Sequence, residues 1–271
     1  GDALRLFIGY AGEKLLNCGI FEIDEIENTL SPSEARIKLI SVPNKSEIRY
    51  VEKSRSWEKV KLSTIAQDIA SESNLQLYYK SKEDPIIERV EQDEESDLKV
   101  LKKLCKNRGL GLKVSDMELI IYDKEELEGN SSIREIKKDS REIKQFRLKT
   151  TVHEVYKSCR VEYMHGKQDK KISHEYKDAS KDDGMTLKVS EKVENEGEAE
   201  RLAKKKLREK NEKETTGSFT MIGDPELIAG VTVKLEGFHV YDGKYLVDKS
   251  NHEINNGYTT KIEVHKCLEG Y

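Results

Sequence analysis

Residues 195–271 change their hydrophobic period partway along, and this change restricts the stretch to a helix followed by strands. Asn195 is a candidate helix N-cap, and Glu198 is placed to complete a capping box. The apolar residues that follow recur at helical spacing: Ala199, Leu202, Ala203 and Leu207. From Val231 onward apolar and polar residues alternate, as in a half-buried strand. The stretch therefore predicts a helix at about 196–211 laid against an antiparallel meander.

Two glycine dipeptides divide the predicted meander. Asp242-Gly243 and Asn256-Gly257 favour two-residue hairpin loops of type I′, because both central positions of that turn need positive φ. The strand after the second turn has an apolar face and a polar face. We expect the first face to carry Tyr258, Thr260, Ile262 and Val264, and the second to carry Lys261, Glu263 and His265.

A series of short motifs follows the predicted helix in a fixed order. They are Thr215-Thr216-Gly217-Ser218-Phe219-Thr220, Gly223-Asp224-Pro225-Glu226-Leu227, Ala229-Gly230-Val231-Thr232-Val233, Gly243-Lys244-Tyr245-Leu246-Val247, His252 and Gly257-Tyr258-Thr259-Thr260. This order resembles the phage late control gene D family, the baseplate hub proteins of contractile phage tails and related phage-tail-like particles. Each motif is weak alone, and their order carries the resemblance.

The start of the chain fits the same family. Residues 1–52 predict strands at 4–10, 15–28 and 35–41. The family pattern for the later strands of a first tube-like β-barrel is matched by Gly1, Asp2, Gly9, Tyr10, Gly19, Phe21 and Asp24. The resemblance therefore implies a barrel that lacks its opening strands. Because the chain begins without methionine and enters a strand almost at once, we expect further residues to precede Gly1.

Residues 53–126 predict a small α/β module. One amphipathic helix carries Leu62, Ile65, Ala66 and Ile69, and a second, capped by Ser96 and ended by Gly109, carries Leu98, Leu101, Leu104 and Cys105. Strands are expected at 75–79, 86–90 and, as a hairpin around Asp116, at 110–114 and 119–122. The string Gln92-Asp93-Glu94-Glu95-Ser96-Asp97-Leu98 resembles a hub signature. Alternatively, Tyr50-Val51, Leu62-Ser63-Thr64-Ile65-Ala66 and Leu75 resemble a glycan-binding LysM module.

The rest of the chain predicts a linker at 127–145 and a second barrel at 146–271. Strands are expected at 145–155, 157–165 and 185–189, and the polar stretch 166–184 is expected to be a long exposed loop or the end of a ribbon. The predicted fold class is α+β and mainly β: two tube-like antiparallel β-barrel domains, the first incomplete, with the α/β module inserted between them.

Composition excludes several classes of function. Charged residues make up 37% of the 271 residues, yet the net charge is −4, so the chain has no overall basic signature for nucleic acid. The predicted helix 196–211 is nearly neutral, and we expect i,i+4 ion pairs on its surface. No apolar run approaches the roughly 20 residues of a membrane-spanning helix. The four cysteines are far apart, which favours free thiols.

The search for chemistry identifies no catalytic, cofactor-binding or metal-binding residue. His239, His252 and His265 could meet on adjacent strands as a zinc site, but they lack ligand spacing and fit solvent-face positions better. Cys159 and His153 could be a nucleophile and base, although both fit ordinary strand patterns. No carboxylate pair is singled out for glycoside hydrolysis. We therefore expect a protein that is not an enzyme.

The resemblance implies a structural hub, a homotrimer that adapts the hexameric tail tube to the central spike. The implied partners are further copies of the chain, the tail tube protein, the spike protein and other baseplate proteins, with the tape measure protein as a further candidate and DNA only as passing cargo. The implied location is the virion or a phage-tail-like particle such as a bacteriocin, assembled in the host cytoplasm. The alternative is a tail-associated peptidoglycan-binding or cell-wall-degrading protein.

Overall fold

The computed structural model describes residues 3–41, 47–106, 108–165, 170–191, 193, 195–269 and 271. The chain forms two compact units, residues 1–124 and 125–271. Both are rich in strands, so the predicted mainly β fold class is confirmed.

The first unit begins with a three-stranded antiparallel sheet in the order β1-β2-β3. Its strands are β1 (Ala3–Ile8), β2 (Leu16–Leu30) and β3 (Ser33–Ile40). All three strands predicted for residues 1–52 are confirmed. Gly19 of β2 approaches Asp116 of the same unit: a Cβ there would lie 3.4 Å from the Asp116 side chain.

The rest of the first unit is the predicted α/β module. Its elements are α1 (Glu47–Tyr50), β4 (Glu52–Lys61), α2 (Leu62–Glu72), β5 (Gln76–Lys80), β6 (Ile86–Ser96), α3 (Asp97–Lys106), β7 (Leu110–Ser115) and β8 (Glu118–Asp123). β4 pairs with β6 in one sheet, and β5-β8-β7 form another. The apolar stripes of α2 and α3 fill the core between them. The predicted left-handed Gly109 is confirmed at φ +65°, and so is the hairpin turn at Asp116.

The second unit is built from two sheets and a long helix. Its elements are α4 (Lys124–Gly129, which begins at the unit boundary), β9 (Arg134–Lys137), β10 (Ile143–Thr150), β11 (Tyr156–His165), β12 (Lys170–Lys177), β13 (Met185–Val189), α5 (Glu196–Asn211), β14 (Thr215–Ile222), β15 (Thr232–Glu236), a 3₁₀ helix at His239–Tyr241, β16 (Gly243–Ile254) and β17 (Tyr258–Lys266). The strand orders are β10-β14-β17-β16-β15-β9 and β12-β11-β13.

The six-stranded sheet curls around its own core. Phe146 of the edge strand β10 meets Phe238, just beyond β15, with ring centroids 5.2 Å apart. Arg134 of the opposite edge strand β9 pairs with Glu142 at 2.5 Å, immediately before β10. The two edges therefore approach each other. The enclosed core contains Ile136, Phe219, Met221, Val233, Leu235, Tyr245, Val247, Ile262 and Val264.

α5 begins where the sequence predicts, but it packs elsewhere. The Asn195 side chain accepts a hydrogen bond from the Glu198 N–H at 2.9 Å, which confirms the N-cap. The predicted apolar stripe is buried against Cys159, Val161 and Ile172 of the β12-β11-β13 sheet. The expectation that this stripe lies on the following meander is therefore wrong: the strands that precede α5 provide its apolar partner.

Other expectations for the second unit also need correction. Residues 127–145, expected as a linker, contain β9, which pairs in parallel with β15 and places Ile136 in the core. In the stretch 166–184, expected as a loop or a ribbon end, β12 pairs antiparallel with β11, which fits the ribbon and not the loop; residues 166–169 lie outside the described residues. β11 and β13 also pair in parallel, so the second unit is not purely antiparallel.

The two predicted hairpin turns have different outcomes. Asn256-Gly257 does join β16 to β17, with φ of +50° and +123°, in a three-residue loop that starts at Asn255. Asp242-Gly243 does not close a two-residue turn. β15 and β16 are joined by residues 237–242, which include the 3₁₀ helix, because Asp242 keeps an ordinary negative φ of −59° and its carboxylate accepts a hydrogen bond from the Phe238 N–H at 2.6 Å.

Candidate functional site

The motifs after α5 meet where the β14–β15 connection crosses the β16–β17 hairpin. The Gly223 N–H donates to the Tyr258 carbonyl at 2.9 Å. A Cβ on Gly223 would lie 2.0 Å from the Tyr258 ring, so only glycine fits here. The Asp224 N–H donates to the Thr260 hydroxyl at 2.8 Å. The sequence identified these residues, and the strand register brings them together.

Asp224 ties this junction to the sheet edge. Its carboxylate accepts hydrogen bonds from the Arg134 guanidinium and from the Glu226 N–H. Arg134 also donates to Glu142 at 2.5 Å. Burial works against the Arg134 charge, but hydrogen bonding with Glu142 and the Asp224 charge outweigh it and raise the Arg134 pKa. The ion pairs therefore fix the loop in place.

His252 lies in the same junction and is half-buried. Its Nδ1 lies 2.8 Å from the Tyr258 hydroxyl and its Nε2 lies 3.0 Å from the Ser250 hydroxyl. Burial lowers the His252 pKa. Ser250 donates its proton to the Leu227 carbonyl at 2.5 Å, so His252 is not placed to activate it as a nucleophile. The Ser–His pair stabilises the turn.

The string Gln92–Leu98 forms a buried polar network in the first unit. Asp97 is fully buried and accepts hydrogen bonds from Lys53 Nζ at 2.7 Å, Arg55 at 2.6 Å and Gln92 Nε2 at 2.8 Å. Gln92 in turn accepts from Arg55 Nε at 2.9 Å and donates to the Glu95 carbonyl. The strand β4, which the sequence did not predict, supplies both cations.

Glu72 completes the charge balance of this network. It accepts from Lys53 at 2.8 Å and from Arg55 at 2.5 Å. The hydrogen bond from Lys53 is the main reason why the Glu72 pKa is lowered. Burial works against the charge of Lys53, but its bonds to Asp97 and Glu72 raise its pKa. Two cations face two carboxylates, so the network is a structural clamp between β4, α2 and α3.

A second buried network in the other unit surrounds His265. Its Nδ1 lies 2.7 Å from Asp248, and its Nε2 lies 3.7 Å from Glu128. Glu128 also accepts from Arg208 at 2.7 Å and from the Leu268 N–H at 2.9 Å. Burial opposes the charge of His265, but the Asp248 and Glu128 carboxylates raise its pKa to about 9. The expectation that His265 faces solvent is wrong, since its side chain is buried and ionic.

The three histidines considered as zinc ligands do not converge. His252 pairs with Thr260, five residues from His265 along β17, or roughly 17 Å at the usual strand rise. An odd spacing also places them on opposite faces, and His239 is exposed on the 3₁₀ helix. Within the residues that the structure describes, no group of three or more His, Cys, Asp or Glu residues is arranged to hold a metal.

The other candidates for chemistry have structural positions. Cys159 is buried under α5, and burial raises its pKa to about 11, which keeps it as a thiol, while His153 is exposed. All four cysteines are free. Leu62, Ile65, Ala66 and Leu75, which suggested a LysM module, are core residues.

The basic residues of α5 pair with other elements. Lys204 contacts Glu125 at 3.2 Å, Lys206 contacts Glu191 at 2.7 Å, and Arg208 contacts Glu128. Lys210 lies 3.7 Å from Glu154. These four contacts fasten the helix to its surroundings, and the expectation of i,i+4 pairs along α5 stays a prediction.

The largest feature that the sequence reasoning missed is uncovered apolar surface on β1–β3. Each of these strands contributes large apolar side chains that stay exposed. They are Leu4, Leu6, Phe7, Ile26, Leu30 and Ile37. The alternation in β2 of Ile26 and Leu30 with Glu25 and Glu27 was a readable signal of a two-faced strand. Surfaces of this kind mark sites of association.

Comparison with known protein families gives a match over most of the chain. The family model described as "Phage tail baseplate hub (GPD)" matches residues 21–258. None of the helices in the described parts of the chain is long and apolar enough to cross a membrane. The comparison with curated protein sequences gives no match.

Solved tail proteins share the fold. The 43 kDa tail protein of prophage MuSo2 from Shewanella oneidensis has a TM-score of 0.70 at 14% identity, with 97% of this chain and 83% of that chain covered. The tail protein from Neisseria meningitidis MC58 gives 0.71, also at 14%, with the same coverage. The E. coli c3393 protein, a component of the type VI secretion system, gives 0.59 at 12%, with 98% and 64% covered.

Proposed function

The chain belongs to the phage tail baseplate hub (GPD) family, and we propose that it is the structural hub of a contractile phage tail or of a tail-like bacteriocin. In this role it acts as a homotrimeric adapter between the hexameric tail tube and the central spike. The trimer contributes six barrels, one that includes β1–β3 and one built from the six-stranded sheet of each copy. Such a ring has the symmetry of the tube on one side and of the spike on the other.

The observation that carries this proposal is a contrast between two groups of residues. The buried ionisable groups Asp97, Glu128 and His265 are held in structural networks. Large apolar residues on β1–β3 remain exposed. A protein that assembles needs uncovered apolar surface, whereas an enzyme needs an acid or base that is accessible to substrate.

The edges of the sheets are a second feature that supports the proposal of a ring. β10 is an edge strand with mostly exposed side chains, and β1 and β3 are both edges of their sheet. Exposed edges invite strand pairing, and closed assemblies remove them. We therefore place further copies of the chain and the tail tube protein at these edges. The spike, other baseplate proteins and the tape measure protein are the further proposed partners.

The central channel of this ring passes DNA without holding it. Tight binding of phosphate needs clustered Lys and Arg, and the net charge of −4 supports a neutral or acidic channel wall. The charge of the lumen-facing residues in an assembled ring tests this part of the proposal, which a strongly basic wall would contradict.

Co-assembly is the direct test of the hub role. The chain, at 31.1 kDa, is expressed together with a tail tube protein and a spike protein from the same particle, and the mass and image of the complex are recorded. We expect three copies between tube and spike. A chain that stays monomeric beside both partners, or that clears peptidoglycan in a zymogram, contradicts the proposal. Retention on purified cell wall would instead support the glycan-binding alternative.

A further inference from the structure

The hairpin formed by the end of β2 and the start of β3 projects from the first unit. Every residue from 24 to 38 is exposed. Three of its apolar side chains are largely uncovered: Leu30 is 96% exposed, Ile26 58% and Ile37 50%. Within the described part of the chain, the hairpin therefore leaves much of its apolar surface uncovered.

The strand register separates the side chains of the hairpin into two faces. One face is uncharged and pairs Ile26 with Ile37, Asn28 with Ala35 and Leu30 with Ser33. The other face carries all the charge, because residues directly opposite each other share a side and alternate along the strand. Its pairs are Glu25 with Lys38, Glu27 with Arg36 and Thr29 with Glu34.

Oppositely charged residues on the charged face lie close to each other. Arg36 lies 3.4 Å from Glu27, and Lys38 lies 3.7 Å from Glu25. Two of the three cross-strand pairs on this face join opposite charges, and all six residues are exposed, so this face is suited to solvent. The uncharged face has no such contacts, so it is the face that gains free energy when it is covered.

The uncharged face continues onto β1. Ile23 pairs with Leu39, two residues from Ile37, and Leu4 pairs with Phe21, two residues from Ile23. The exposed apolar members of this continuous face are Leu4, Leu6, Ile26, Leu30 and Ile37. Each of these side chains is at least 41% exposed, and a contiguous apolar patch of this kind marks an interaction site. A standard interface buries about 800 Å² on each partner, so this face forms the apolar part of one side.

We propose that this face, with Leu30 at its tip, seats on a second copy of the chain and forms the contact between neighbouring hubs. This inference rests on the trimer of the proposed function and names the surface that holds it together. A face without charge can meet another copy without burying an unpaired ion or setting like charges against each other. Three identical contacts of this kind close a ring.

The test compares two lysine substitutions on adjacent residues of the hairpin. Leu30→Lys places a charge on the uncharged face, and Thr29→Lys adds the same charge to the opposite face. Both side chains are exposed, so neither change places a charge in a core, although Thr29→Lys also removes the hydrogen bonds that the Thr29 hydroxyl donates to the Pro32 and Glu34 carbonyls. The mass of each variant is measured by light scattering over a dilution series, and Ile26→Lys serves as a second disrupting variant.

We expect Leu30→Lys and Ile26→Lys to weaken self-association by about tenfold or more, because a buried leucine or isoleucine side chain typically contributes more than the 1.4 kcal/mol that this factor requires. Thr29→Lys should associate like the unmodified chain. Amide exchange in residues 24–38 should slow on assembly and recover on dilution.

The possible failures are distinguishable. An unmodified chain that is monomeric at every concentration overturns both the trimer and this contact. A trimer that Leu30→Lys leaves intact, or that Thr29→Lys disrupts equally, overturns the contact alone. Slow amide exchange at residues 24–38 in the monomer would assign the face to another segment of the same protein, and protection that appears only when tube protein is added would assign it to the tube.

Discussion

Replacement of Asp97 by asparagine should destabilise the first unit. Asp97 is fully buried and accepts hydrogen bonds from Lys53, Arg55 and Gln92. Asparagine keeps the shape of the side chain but removes the charge that balances the two cations. The perturbation therefore isolates the electrostatic part of the network from its packing.

The magnitude follows from how well the two cations are solvated. Removal of one partner from a buried ion pair costs about 3–5 kcal/mol. Lys53 and Arg55 keep about a fifth of their side-chain surface in water and retain Glu72, so we expect the lower end, about 3 kcal/mol. Glu72→Gln removes a charge facing the same two cations, but its side chain is 42% exposed, and it should cost about 1 kcal/mol or less.

Trp57 makes the assay specific to the first unit. It is the one tryptophan of the sequence, and the Arg55 guanidinium lies 4.5 Å from its ring centroid. Urea unfolding followed by its fluorescence should show the Asp97→Asn midpoint lowered by about 1.5 M, for a slope of about 2 kcal/mol per molar urea. If Asp97→Asn costs no more than Glu72→Gln, the network is not a clamp and the reasoning fails.

Two further predictions concern the second unit. The pKa of His265 is raised from 6.5 to about 9 in the fold, so its stabilisation is complete below pH 6.5 and is lost as pH rises through 9. Urea midpoints should fall over this range in the unmodified chain and stay flatter in His265→Gln; equal slopes would contradict the assignment. Gly223→Ala should lower the free energy of unfolding by about 2 kcal/mol, because its methyl group meets the Tyr258 ring. Gly129→Ala, which has open space around it, should leave the free energy of unfolding nearly unchanged, and thermal unfolding of the two variants measures the difference.

Local signals in the sequence were enough to predict the helices. The cap at Asn195 and the stripe from Ala199 to Leu207 define α5, because both depend only on residues within a few positions of each other. The packing partner of α5 was not predictable in the same way. It is the preceding sheet, and adjacency along the chain wrongly favoured the following meander.

The strands that sequence reasoning missed have charged residues at inward positions. In β4 the half-buried positions include Lys53 and Arg55, so only Trp57 and Val60 give the strand an apolar signal. β9 is four residues long and pairs with β15, almost one hundred residues away. A buried ion pair has the same sequence pattern as a solvated one, and only the partner's position distinguishes them.

The candidate site was also predictable only in part: its residues could be identified from the sequence, but their contacts could not. Gly223, His252 and Tyr258 were identified by motif order, but their mutual contacts depend on the register of β16 against β17. His265 was assigned to the wrong environment because alternation places it opposite the apolar face of β17. That second face is covered too, by α4 and α5, which supply Glu128 and Arg208.

Buried charged residues and exposed apolar residues have different roles in this chain. Buried ion pairs add little net stability compared with apolar packing, but they tolerate few alternative arrangements once each partner is saturated. Asp97, whose carboxylate accepts three hydrogen bonds, therefore favours one geometry for the elements around it. The apolar side chains that could have enlarged the cores, such as Leu30 and Ile26, lie outside, where burial contributes free energy only in contact with another molecule. In the proposed assembly, covering these side chains adds stabilisation that the buried networks do not provide.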